Sequence, residues 1–165
     1  DRSLSALEIW ELYSFGGNLG GLSGADSNCQ ARADAGSFGG TWNAWLSTST
    51  VNAITRIPDT TYRRLDNMIV ANNMADLTDG SIANQINVAD NGSVLSGAQS
   101  VWTGTTAAGI YPGGDPNSYS CSDWTSSSAS GMGLFGYTSS TNSFWTYNSQ
   151  LNCDNVARLY CFRTS

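Results

Sequence analysis

The chain has no histidine and no lysine, and all seven of its basic residues are arginines. Without an imidazole there is no Ser-His-Asp or Cys-His arrangement, and no lysine stands in for the missing base. Glu8 and Glu11 are the only glutamates among 13 acidic residues, so a glycosidase would have to work with paired aspartates. The chain is therefore read as a protein that is not an enzyme. Clustered basic residues are missing too: the net charge is -6 and only Arg63 and Arg64 are adjacent. Nothing in it would displace the counterions of a nucleic acid or neutralise an anionic membrane surface. No apolar run approaches the roughly 18 residues of a membrane span, so no membrane insertion is expected.

There are four cysteines, Cys29, Cys121, Cys153 and Cys161, and no C-x-x-C spacing. A zinc site is excluded on this reading, because neither knuckle spacing nor a histidine is available to complete one. Two disulfides are expected instead. They imply an oxidising compartment, secreted or at the cell surface, extracellular or periplasmic. Four cysteines allow three pairings, and spacing alone does not choose among them.

At 165 residues the sequence fits one domain. It begins at Asp1 without an initiator methionine and is read as a mature or excised piece. Only 12% of residues are charged, which leaves the polar surface to Ser, Thr, Asn and Gly, a composition suited to an extracellular protein. Residues 1–15, containing "SLSALEIWELYSF", fit neither a clean strand nor a clean helix face. They are a first strand or the neck of a homo-oligomer. Residues 16–165 form the domain.

"GGNLGGLSG" lacks the G-K-[ST] ending of a phosphate cradle and reads as a tight loop entering a helix. Ser23 is the expected N-cap, with Asp26 in the first turn and Gly36 as the stop. Ala25, Cys29 and Ala33 form a buried stripe. Trp42, Ala44 and Leu46 alternate against Asn43, Trp45 and Ser47 as in a strand. "SVWTGT" and the segment from Val156 to Phe162 are further strands. Asp79-Gly80 and Asn91-Gly92 mark turns. Between Thr103 and Gly136 lies a long polar stretch whose cysteine and aromatics predict an ordered loop.

Candidate chemistry concentrates in that stretch. In "GGDPNSYSC", Asp115 and Asn117 flank Pro116. A cis bond there would turn both side chains to one face to hold Ca2+ and sugar hydroxyls; the alternative is an ordinary proline turn. Asp76 with Asp79, and Asp90 with Asn91, offer oxygens for a hard cation without the spacing of an EF-hand loop, and turn formation is the alternative. Tyr111, Tyr119, Trp124, Trp145 and Tyr147 lie among polar residues, as in adaptable binding surfaces, whereas Trp42 and Trp102 fit core strands.

Taken together, "GGLSGADSNCQARADAGSFGGTWNAWLSTS", "SVWTGT", "CSDWTS" and "NCDNVARLYCF" occur in the order found in the endostatin-like domain, the C-terminal module of certain collagens with relatives in bacterial surface proteins. The resemblance runs from Gly16 to Phe162. It implies an α+β, C-type-lectin-like fold: one or two helices, a twisted and mostly antiparallel sheet, a long looped region and two nested disulfides, Cys29 with Cys161 and Cys121 with Cys153. The histidines that bind zinc in animal members are absent here. So are the clustered arginines of their heparin site, and neither property carries over. The Trp-Asn-Asp ligand motif of calcium-binding lectins is also missing.

What the resemblance implies about function is an extracellular binding module, the recognition head of a bacterial surface or fibre adhesin. Its partner is a cell-surface or matrix protein or glycan. The expected ligand-binding residues are Tyr111, Asp115, Asn117, Tyr119, Asp123, Trp124 and Trp145. A Ca2+-dependent lectin acting through Asp115 and Asn117 is one alternative, and a structural, trimeric fibre-tip domain is another. No cofactor is expected beyond that Ca2+.

Overall fold

The computed structural model describes Ala6–Glu11, as backbone, and residues 14–165. A five-stranded sheet runs in the order β2 (Trp42–Ala44), β8 (Tyr160–Arg163), β1 (Ala6–Glu11), β3 (Thr61–Arg64), β4 (Ile69–Ala71). Only the β1–β3 pair is parallel. A second, antiparallel sheet is formed by β5 (Ser100–Trp102), β6 (Met132–Tyr137) and β7 (Ser149–Asn152). With helix α1 (Gly21–Ala35) and the short helices α2 (Met74–Leu77) and α3 (Pro116–Tyr119), this is an α+β fold. Ala6–Glu11 pairs with a neighbour on each side, as a first strand would. The rest of the segment offered as strand or neck includes residues 1–5, 12 and 13, which lie outside the described residues.

Strand β8 organises two cores. Cys161 faces one, with α1, Trp42, Leu46, Trp102, Trp124 and Phe135. Tyr160 and Phe162 face the other, with Trp45, Tyr62, Val70, Leu77, Val101 and Trp145. The alternation is the two-residue period of a strand buried on both faces. It is shorter than the sequence predicts: Val156, expected to open the strand, is 62% exposed. Trp45 and Ser47, placed by alternation on the outer face, are buried as well, because β2 stops at Ala44 and the chain turns into the second core.

Helix α1 lies on the sheet through Ala25, Cys29 and Ala33, all fully buried. Small side chains let the helix approach closely, and Cys29 is bonded to Cys161 of β8 with a Cα–Cα distance of 5.6 Å. The second bridge joins Cys121 to Cys153, so the pairing is nested as the resemblance implies. The ends of α1 differ from expectation. The helix starts at Gly21, not behind a Ser23 cap, because Gly20 and Gly21 take φ values of 79° and 72° and turn the chain directly into the helix. Gly36 does cap the other end, but with right-handed φ; the left-handed residue is Ser37, and the Phe38 N–H reaches back to the Ala33 carbonyl.

Asp26 therefore lies beyond the first turn, and its carboxylate serves the sheet. The exposed edge of β2 is covered by two side chains one turn apart on α1: Asp26 accepts the Ala44 N–H at 2.9 Å and Gln30 accepts the Trp42 N–H at 3.0 Å. Arg56 closes the arrangement by donating to the Ala44 carbonyl and to Asp26 Oδ2. Its side chain is only 8% exposed. Satisfying a sheet edge with helix side chains removes a template for pairing with another chain.

Two stability predictions follow from this geometry. The sequence separations closed by the bridges are 132 and 32 residues. Chain-entropy arguments then give about 5 kcal/mol for Cys29–Cys161 and about 4 kcal/mol for Cys121–Cys153. Paired Cys→Ala variants compared in urea unfolding are expected to follow that order. Arg56→Ala, which removes the guanidinium from half-buried Asp26 and from the Ala44 carbonyl while leaving Asp26 the Ala44 N–H, is expected to cost about 2 kcal/mol; a midpoint equal to wild type would refute the role given to Arg56.

Candidate functional site

The polar stretch after β5 is ordered by its first residues. Thr103 and Gly104 both donate to the Leu134 carbonyl, and Gly104 has a φ of 61°. A Cβ at this position would sit 2.7 Å from both the Ser47 carbonyl oxygen and the Trp124 ring, so only glycine fits. From there the chain runs over Ala53–Thr55, donates the Tyr111 N–H to Asn52 Oδ1, and reaches α3.

After α3 comes one turn of left-handed helix. Cys121, Ser122, Asp123 and Trp124 have φ values of 50°, 55°, 56° and 66°, and the Trp124 N–H donates to the Ser120 carbonyl. Four consecutive non-glycine residues in this region cost about 1–2 kcal/mol each. Every one of them is tied down. Cys121 is in a disulfide, and the Ser122 hydroxyl donates to Asn117 Oδ1. Asp123 accepts from the Ser49 N–H at 2.8 Å, the Ser49 hydroxyl at 2.6 Å and the Ser120 hydroxyl at 2.9 Å. The buried Trp124 indole donates to the Ser47 carbonyl at 2.9 Å. Strain of this kind persists only where the surroundings over-determine it, and such places cluster at ligand clamps.

In front of this turn stands an aromatic pair. The Tyr111 and Tyr119 rings pack edge to face with centroids 6.3 Å apart, and both residues are half-buried. The Tyr111 hydroxyl is buried beside Ser120 and makes no hydrogen bond of ordinary geometry. Burial pushes its pKa up, the Ser120 hydroxyl opposes this, and the charges of Asp123 and Asp115 add to it. Asp115 is exposed and caps α3, its Oδ1 accepting the Asn117 N–H at 2.9 Å.

The structure thus gathers Tyr111, Asp115, Asn117, Tyr119 and Asp123 around α3 and corrects the remaining assignments. Trp124 and Trp145 are fully buried and form no surface platform. Trp145 lies in the second core against Trp45 and Tyr160. Tryptophan carries the largest apolar area, and here each of the five tryptophans with described side chains is drawn inward. Asp123 is spent on Ser49 and Ser120 and is not a free ligand group. No described peptide bond is cis, so Pro116 opens α3 as a trans residue and the facing of Asp115 and Asn117 that a cis bond would give does not arise. Asp76, Asp79 and Asn91 bond the backbone N–H groups of Asn72, Ser81 and Ser93, and Asp90 pairs with Arg32. Among the described residues no three His, Cys, Asp or Glu side chains are grouped as metal ligands. Ser49, Asn52 and Ser120 are the supporting residues that sequence reasoning missed; Ser120 stands three residues from Asp123, whereas Ser49, far from it in the chain, carries no local signal.

The Asp123 contacts generate a pH prediction. Burial raises its carboxyl pKa, but the Ser49 hydroxyl and N–H and the Ser120 hydroxyl outweigh it, and the net result lies below the usual carboxylate value. A depressed folded pKa contributes stability that is present above the unfolded pKa, about 4, and is lost as pH falls through the folded value. Asp123→Asn is therefore expected to lower stability at pH 7 and to lose less of what remains between about pH 4 and pH 2. Parallel acid-titration curves for the two proteins would contradict it.

A family model described as "Protein of unknown function (DUF1554)" matches residues 13–144, a span that takes in α1, strands β2 to β6 and the whole left-handed turn. No curated protein matches the sequence. Because the match covers the greater part of the chain, the protein belongs to this DUF1554 family, whose function is unknown.

Proposed function

We propose that the chain is an extracellular recognition module with an endostatin-like, C-type-lectin-like fold, serving as the head of a bacterial surface or fibre adhesin. The observation that carries this reading is the left-handed turn at Cys121–Trp124, strained at four residues and anchored at each. A loop that merely joins two strands has no need of such cost. One that must present Tyr111, Asp115 and Tyr119 in a fixed arrangement gains from it, because a preorganised surface loses little entropy on binding.

Two further features support the reading. No described helix is long and apolar enough to cross a membrane, and both disulfides suit an oxidising environment. The nested bridges and the mostly antiparallel sheet are those that the endostatin-like resemblance implies. We read binding as calcium-independent, since Asn117 Oδ1 takes the Ser122 hydroxyl and Asp115 Oδ1 takes the Asn117 N–H.

Panels of immobilised matrix proteins and glycans, probed with and without chelator, test this. Tyr119→Ala is expected to weaken whatever binding is found by about tenfold, the effect of truncating an aromatic anchor. Chelator is expected to leave it unchanged. Binding that survives Tyr119→Ala at full strength would move the recognition surface elsewhere.

A further inference from the structure

The polar groups around α3 are unequally available. The Ser120 hydroxyl donates to the Pro116 carbonyl or Asp123, the Ser122 hydroxyl donates to Asn117, and Asp123 is occupied by Ser49. Pro112, Gly113 and Gly114, all exposed, contribute no polar side chain. Several of the acceptors and donors that would read sugar hydroxyls, the Ser120 and Ser122 hydroxyls, Asn117 Oδ1 and the Asp123 carboxylate, are therefore engaged within the protein. What faces outward is the exposed Asp115 carboxylate and the half-buried Tyr rings. The edge-to-face contact itself occupies one ring face of the pair, and both residues remain partly exposed. A carboxylate and π faces form a surface for positive charge.

The charge distribution points the same way. No basic residue occurs between Arg64 and Arg158. Arg32, Arg56 and Arg64 are paired with Asp90, Asp26 and Asp66. Arg63 donates to the Asn67 carbonyl and Arg163 to the Ser165 carbonyl. These five arginines thus serve the helix and five-stranded sheet, while residues 65–157 carry acidic side chains and no basic one. Asp115 and Asp123 both act electrostatically on Tyr111. In such a field an anionic ligand is repelled and a cationic one is steered in.

We propose that the face formed by Tyr111, Asp115 and Tyr119 receives a lysine or arginine side chain of a protein partner. The cation sits against a tyrosine ring with Asp115 as its counter-charge. This rests on the reading of the chain as a recognition module and specifies the chemistry of the partner.

The test uses the purified protein against a biotinylated Gly/Ser peptide bearing Lys and Arg, and against the same peptide with each basic residue replaced by Gln. An array of neutral glycans is run alongside. The basic peptide is expected to bind and the Gln peptide to fail, with affinity falling as salt rises from 50 to 300 mM, roughly the range over which exposed charges become screened. Tyr119→Ala and Asp115→Asn are each expected to weaken binding about 3- to 10-fold, while Tyr119→Phe, which keeps the ring, retains it. Asp34→Asn removes an equal charge from α1 and is expected to change nothing, which separates a local site from general attraction to an acidic protein. Because Tyr119 and Asp115 are partly or fully exposed, an unchanged thermal midpoint verifies that the variants are folded.

Equal binding of the two peptides, binding of neither, or an equal loss with Asp34→Asn overturns the proposal. If a neutral glycan binds instead and is lost with Tyr119→Ala, the charge inference falls and the recognition module stands. If no ligand on either panel responds to Tyr119→Ala, both fall.

Discussion

The covalent and polar fastening of α1 to the sheet is the constraint on which the remainder depends. Cys29 is bonded to Cys161 in the strand that is buried on both faces, and Asp26 and Gln30 take the N–H groups of the β2 edge. Together they fix the helix in rotation as well as in distance. Both cores are built outward from β8, so its position sets that of Trp42, Trp102 and Trp124 on one side and Trp45 and Trp145 on the other. The crosslink also holds together residues far apart in the chain, a closure that noncovalent contacts would have to supply against considerable chain entropy.

On this frame the protein supports a long polar segment with very little regular structure. Indole N–H groups act as struts within it: Trp45 donates to Thr146, Trp102 to the Phe15 carbonyl and Trp124 to the Ser47 carbonyl. Each joins a buried ring to a segment distant in sequence, and those of Trp102 and Trp124 give backbone carbonyls partners they would otherwise lack. The left-handed turn is the extreme case. Its unfavourable φ values are offset by a disulfide, a buried tryptophan and a three-fold hydrogen-bonded carboxylate, all within four residues. Rigidity is obtained here from tertiary contacts and not from backbone propensity.

Electrostatics divide the molecule along the same line. Arginine is used mainly as mortar, bonding aspartates and carbonyl groups beneath and beside the five-stranded sheet. Residues 65–157 supply no basic side chain of their own, and around the left-handed turn Asp123 and Asn117 are hydrogen-bonded within the protein.

Much of the fold was legible in the sequence because it rests on local periodicity. The Ala25–Cys29–Ala33 stripe, the strand at Ser100–Trp102 and the turns at Asp79-Gly80 and Asn91-Gly92 each follow from spacing within a few residues. The family-like order of motifs implied the nested bridges. The site was legible only in part. Of the candidates, Tyr111, Tyr119 and Asp115 keep partly or fully exposed side chains, whereas Trp124 and Trp145 look the same in sequence and are core residues. A tryptophan among serines carries no local sign of which way it faces. The role of Asp123 depended on Ser49, and that of Asp26 on β2, partners that only chain folding brings within hydrogen-bond distance. What the sequence determined alone was its class: disulfide-bonded, acidic, without histidine or lysine, with one clear helix. What tertiary structure decided was which aromatic and acidic groups remain exposed, because burial and hydrogen bonding are settled by contacts between residues far apart in the chain.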